Sequence, residues 1–220
     1  MAGGHNQAGS RGQGALPRLN MITEQIGRAC LVPLNAIVRV FVWSGVTPNV
    51  LTFMGFVINL VAAYLFAYGY FRWAACVIIF AGLFDMLDGR VARVTNRVTP
   101  FGGFLDSVLD RYSDLSLLIG LLVFYGRINR FWYVTLVAVG MIGSVMVSYT
   151  RARAENLIPS CKVGFLERPE RVVLFIIGAL FDRMAPVLWI IAVLSNLTVI
   201  HRVVHTWQEA RHLPSQAPTP

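Results

Sequence analysis

Charge is scarce in this chain. Only 14% of its 220 residues are Asp, Glu, Lys or Arg, while 56% are hydrophobic. Soluble globular domains run nearer a quarter charged, so the deficit excludes an ordinary water-soluble domain and points to lipid surroundings. Cysteine is scarce as well. Cys30, Cys76 and Cys161 have neither disulfide nor metal-site spacing and read as small apolar residues. The segment from Met1 to Arg18 lacks the apolar core of a signal peptide. It is rich in Gly, Ala, Gln and Ser and reads as a disordered cytosolic tail. No internal repeat is visible. The net charge of +8 could suggest nucleic acid, but in so apolar a chain it reads as Lys and Arg at a membrane surface. No nucleic-acid partner is expected.

What is present is a series of long apolar runs. A helical crossing takes roughly 20 residues. Six stretches qualify with their flanks: Val50–Tyr70, Trp73–Val94, Phe104–Tyr125, Phe131–Tyr149, Val172–Met184 and Val187–Val204. The fifth is shortened by Asp182 and Arg183. Before them, Met21 to Ser44 mixes Ile22, Ile26, Leu31, Ile37 and Phe41 with Glu24, Arg28 and Arg39, interrupted by Pro33. That mixture predicts an interfacial amphipathic helix. The fold class is therefore an all-α membrane protein with six transmembrane helices and an N-terminal interfacial helix. Its parts are a disordered tail over 1–20, a membrane domain over 21–211 and a Pro-rich disordered tail over 212–220. With the N-terminus inside, the outer loops carry only Arg72, Arg127, Arg130 and Arg183 of the 19 Lys and Arg. The positive-inside rule then predicts a multi-pass protein of the cytoplasmic membrane with both termini and the active site cytosolic. Tyr149 and Trp207 read as interface anchors.

The second and third spans contain what a bilayer rejects. Asp85, Asp88, Asp106 and Asp110 would each cost roughly 3 kcal/mol at a helix centre. A cation or water must compensate them. Asp85 and Asp88 are one turn apart, as are Asp106 and Asp110, so each pair shares a helix face. Two such faces meeting would place four carboxylates around one point. Oxygen-only ligation suits Mg²⁺ or Mn²⁺, and four carboxylates suit a two-metal phosphoryl-transfer site. Gly89 and Gly102 would let a pyrophosphate approach the backbone, and Arg93 can hold a phosphate oxygen. The competing reading is structural ion pairing of Asp85 or Asp110 with Arg90 or Arg111. Asp114 reads as a partner for Arg111 or a polar interior contact.

The run Asp85-x2-Asp88-Gly89-x2-Ala92-Arg93-x8-Gly102-x3-Asp106-x3-Asp110 resembles the signature of the CDP-alcohol phosphotransferases without a departure. The layout of spans resembles that family over nearly all of Met21 to Arg211. Thr47-Pro48-Asn49-x2-Thr52 looks like the family's segment near the cytidine, although Pro at the first turn is also an ordinary helix start. The resemblance implies that Asp85, Asp88, Asp106 and Asp110 serve the metals. It makes Asp110 the general base for the acceptor hydroxyl. Thr47, Pro48, Asn49, Thr52, Asp88, Gly89, Arg93 and Gly102 would bind the CDP-lipid, CDP-diacylglycerol. It also implies a homodimer.

For the acceptor, Arg151 and Arg153 close the fourth span and Arg168 and Arg171 open the fifth. Such a cluster suits a phosphorylated alcohol, since Arg grips phosphate with two donors; plain positive-inside charge is the competing reading. The segments Arg151-Ala-Arg-Ala-Glu155 and Glu167-Arg-Pro-Glu-Arg171 resemble those of the phosphatidylinositol-phosphate synthases within the family. The expected reaction moves a phosphatidyl group from CDP-diacylglycerol to inositol phosphate, releasing CMP. Phosphatidylglycerophosphate synthesis from glycerol 3-phosphate is the alternative, and a cation transporter a more distant one. His201 and His205 are spaced as a metal pair could be, but without a third ligand they read as helix-end surface residues.

Overall fold

In the computed structural model, residues 41, 43, 45–95 and 97–212 are described. The tail expected over 1–20, that over 212–220 save His212, which belongs to the last helix, and nearly all of the interfacial helix lie outside the described residues. The unit that begins at Thr47 carries everything below. Its described residues form six helices and no strand: α1 Pro48–Ala67, α2 Phe71–Val94, α3 Pro100–Arg127, α4 Phe131–Ala154, α5 Arg168–Leu180 and α6 Met184–His212.

Helix starts follow local chemistry. Pro stands in the first turn of α1, α3 and α5, where its missing N–H costs nothing. Thr99 caps α3, its Oγ1 accepting from the Gly102 N–H at 3.0 Å. Glu167 precedes α5, and its N–H donates to Glu170 Oε2 at 2.9 Å, half of a capping box. The turns after α1, α3 and α5 are short, and each holds one left-handed residue: Gly69, Asn129 and Asp182. The connections after α2 and α4 are longer and lie at the opposite end.

α1, α4 and α6 are long and apolar enough to cross a membrane. In α2 and α3 the aspartates and arginines break up the apolar windows. α5 has 13 residues, about 20 Å of helix, less than a bilayer core. α4 runs past the expected end at Tyr149 to Ala154, so Arg151 and Arg153 are helical.

α1 packs on α2 and α3, α3 on α4, α4 on α6, and α5 on α2 and α6. A core of Phe66, Ile78, Leu118, Leu121, Phe175 and Ile191 fills the centre. Gly120 sets the α1–α3 approach: a Cβ there would lie 2.2 Å from the Ala63 carbonyl oxygen. The outward faces carry exposed Phe53, Val57, Ile142, Trp189 and Val193. Apolar faces on so many helices have no place in water, and the chain is an integral membrane protein.

Candidate active site

The site lies at the end of the bundle opposite the short turns. α2 and α3 present Asp85, Asp88, Asp106 and Asp110 there, and the structure divides them. Asp88 turns towards α1 and accepts from Thr52 Oγ1 at 2.7 Å. Asp85 and Asp110 turn towards α5, where one nitrogen, Arg168 Nη2, stands 2.7 Å from Asp85 Oδ2 and 2.9 Å from Asp110 Oδ1. Asp114 pairs with Arg171 Nη2 and lies 3.8 Å from Arg168 Nε. Arg168 and Arg171 are thus the cations paired with Asp85, Asp110 and Asp114. Arg111 bonds the Ser107 carbonyl of its own helix, so it is not the partner of Asp114.

Asp85 depends on a missing side chain. A Cβ on Gly55 of α1 would lie 2.9 Å from Asp85 Oδ1, so any larger residue there would push the carboxylate away.

Two cavities flank the aspartates. The first, about 230 Å³, is lined by Pro48, Asn49, Thr52, Asp88, Gly89, Arg93, Gly102 and Asp106, among others. Thr47 is the N-cap residue of α1 and does not line it. A Cβ on Gly89 would meet nothing within 4 Å, so the backbone here is open to a ligand. The second cavity, about 260 Å³, is lined by Asp110, Asp114, Arg151, Arg168, Arg171 and Arg202, among others. Arg153 is not part of it. That residue lines a third cavity of about 320 Å³ with Tyr149 and Trp207. Residues two apart on a helix point to different sides, which separates Arg153 from Arg151.

Arg202 escaped the sequence reading, which counted it only as inner-face charge. It is 1% exposed. Its Nε donates to the Val163 carbonyl at 2.8 Å, Nη1 to the Val147 carbonyl and Nη2 to Glu167 Oε1. Glu167 also receives Arg151 Nη1 at 3.3 Å. One turn earlier, Thr198 Oγ1 accepts the N–H groups of Phe165 and Leu166. α6 thereby fixes the connector that delivers Arg168 and Arg171. A signal existed: Ser195, Thr198 and Arg202 form a polar stripe on one face of an apolar helix, and all three are buried. His201 instead stacks on Phe165, ring centroids 5.4 Å apart.

The aspartates supply oxygen donors only, the chemistry of a site for Mg²⁺ or Mn²⁺. Among the described residues no three acidic, His or Cys side chains already stand together as a ligand set. Arg168 holds the place between Asp85 and Asp110.

Residues 45–208 match the family model described as CDP-alcohol phosphatidyltransferase. The chain is 43% identical over 173 residues to the archaetidylinositol phosphate synthase of Pyrococcus horikoshii, spanning 78% of this chain and 89% of that one. The fold is similar to the crystal structure of Mycobacterium tuberculosis phosphatidylinositol phosphate synthase with CDP-DAG bound. The TM-score is 0.77 at 32% identity, over 84% of this chain and 98% of that one. The same enzyme in complex with manganese and citrate gives a TM-score of 0.74 at 32% identity, over 84% of this chain and 93% of that one. Helical order, aspartate pairs and family match agree, and the chain belongs to the CDP-alcohol phosphatidyltransferase family.

Proposed function

We propose that this chain transfers the phosphatidyl group of CDP-diacylglycerol to a hydroxyl of inositol phosphate and releases CMP. One observation carries the choice of a phosphorylated acceptor. Arg171 is 2% exposed, lines the second cavity, and its Nε and Nη1 have no hydrogen-bond partner. Buried charged donors without partners are costly, and a phosphate would satisfy them. Relatives named for inositol phosphate products support the polyol.

In this reading the first cavity takes the CDP moiety, with Thr47, Pro48, Asn49, Thr52, Gly89, Arg93 and Gly102 around the nucleotide and diphosphate. Asp85, Asp88, Asp106 and Asp110 hold two divalent ions, Mg²⁺ or Mn²⁺. When bound, these neutralise charge on the diphosphate and on the departing CMP. Arg151, Arg168 and Arg171 hold the acceptor phosphate and orient its hydroxyl. That oxygen attacks the phosphorus bearing the diacylglycerol, the bond to CMP breaks, and Asp110 accepts the hydroxyl proton. Arg153, in another cavity, has no part in this set.

In this reading α1 to α6 all lie in the membrane, α5 being too short to cross it in full, and the site end faces the cytosol. The split of the arginines supports that orientation: Arg72, Arg127, Arg130 and Arg183 fall at the short-turn end. A homodimer is the expected assembly.

Purified enzyme with Mg²⁺ and CDP-diacylglycerol should release CMP with inositol phosphate, poorly with free inositol, and not in excess chelator. Equal rates with glycerol 3-phosphate would move the assignment to the glycerophosphate branch. Equal rates with free inositol would remove the phosphate pocket.

A further inference from the structure

We propose that Arg168 is an exchangeable internal cation: it occupies Asp85 and Asp110 until a divalent metal displaces it into the second cavity, where it binds the acceptor phosphate. The inference rests on the metal and acceptor reading above.

The geometry leaves little room for both cations. Arg168 Nη2 serves Asp85 Oδ2 and Asp110 Oδ1 at 2.7 and 2.9 Å. A Mg²⁺ ion sits about 2.1 Å from its oxygen ligands. An ion shared by those two atoms would fill the volume of that nitrogen and repel its charge. Either the guanidinium leaves or the metal does not use these oxygens. The way out is short. Arg168 is the first residue of α5, its Nε has no hydrogen-bond partner, and its side chain already lines the second cavity.

In that cavity Arg168 joins Arg151 and Arg171. Those two already have Glu167 and Asp114 as counterions, so a guanidinium that leaves Asp85 and Asp110 arrives without one of its own, and a phosphate would supply it. Metal therefore pushes the guanidinium out of the carboxylates and phosphate draws it into the cavity. Each ligand favours the same displaced state, so by linkage each tightens the other. Arg168 thus acts on metal occupancy as a positioning residue as well as touching the acceptor. It also offsets part of the charge of Asp85 and Asp110 in the lipid-embedded protein before metal arrives, which lowers the cost of intramembrane charge.

The test is Mn²⁺ binding to the full-length protein in detergent, followed by electron paramagnetic resonance without CDP-lipid, with inorganic sulfate as the phosphate-like probe. In the wild type, sulfate should tighten Mn²⁺ binding. Arg168→Gln should bind Mn²⁺ about tenfold to a hundredfold more tightly than wild type without sulfate, the worth of one charge-assisted hydrogen bond. In that variant sulfate should no longer change the affinity. A residue that only contacts the acceptor would leave Mn²⁺ affinity alone. Arg168→Gln binding Mn²⁺ no more tightly than wild type overturns the exchange. So does a wild-type affinity indifferent to sulfate, a measurement that needs no variant to fold. Asp85→Asn separates the two levels. If it weakens Mn²⁺ binding while the Arg168 results fail, the metal site stands and only the exchange is lost. If it leaves Mn²⁺ binding unchanged, the metal reading itself is wrong.

Discussion

The two ends of the bundle are built from the same residue types on opposite principles. At the short-turn end, Phe66, Phe71, Phe124, Tyr125 and Tyr133 pack ring against ring. The charges there stay at the rim: Arg72 and Asp182 pair at 2.8 Å with side chains 73% and 46% exposed. At the site end the corresponding pair, Arg171 and Asp114, is 2% and 5% exposed. Water screens the first pair and the protein interior encloses the second. One end is closed by apolar contact and spends no charge inside. The other keeps polar groups in low dielectric, where they act strongly on one another and on a ligand. Apolar packing and buried charge have been given different ends of the same helices.

Asp110→Asn should cause the largest change at the site end. We expect turnover to fall by about 10²–10⁴, the usual worth of a general base, while CDP-diacylglycerol affinity stays near wild type. Loss of lipid binding as complete as in Asp85→Asn would take Asp110 out of the base role. Next comes Asp114→Ala, which strands Arg171 without its counterion. Unfolding in detergent should report a loss of about 3–5 kcal/mol; a loss below about 1 kcal/mol would mean that burial at this end does not govern stability. Arg171→Lys keeps the charge opposite Asp114 but removes the planar fork. It should raise the acceptor KM about tenfold and leave the CDP-lipid KM in place, and an unchanged acceptor KM would leave the phosphate pocket without support. The smallest effect belongs to Arg72→Ala. Exposed pairs contribute about 0–1 kcal/mol, so neither stability nor activity should change appreciably. A large loss there would erase the contrast between the ends.

Local features of the sequence translated well into structure. The apolar runs became six helices, because hydrophobic length and Pro at a first turn act within a few residues. The spacing of the four aspartates put them at one end of α2 and α3, but they do not meet around one point: Asp88 faces Thr52 of α1, while Asp85 and Asp110 face Arg168 of α5. The glycines and polar residues assigned to the CDP-lipid, Thr47 excepted, line one cavity. What the sequence concealed is the choice among distant partners. Asp85 finds its cation 83 positions along the chain, in Arg168, whereas the counterions considered first were the nearby Arg90 and Arg111. Arg151 and Arg153 looked equivalent as charges near one another, and helical geometry sends them to different cavities. Arg202 looked like surface charge because the feature that buries it, the connector folding back over α6, contains no apolar periodicity of its own.

The anchoring of that connector has a consequence for engineering. The stretch 155–167 carries the segment that leads into the acceptor arginines, and it invites transplantation between enzymes that differ in acceptor. Yet its main-chain groups are held by Thr198 and Arg202, which belong to a different helix. Gly164, at φ +144 with Thr198 Cγ2 2.5 Å from where a Cβ would stand, accepts no other residue in that place. The connector and the middle of α6 therefore form one exchangeable module, and a chimera cut at the visible loop boundaries would separate a lock from its key.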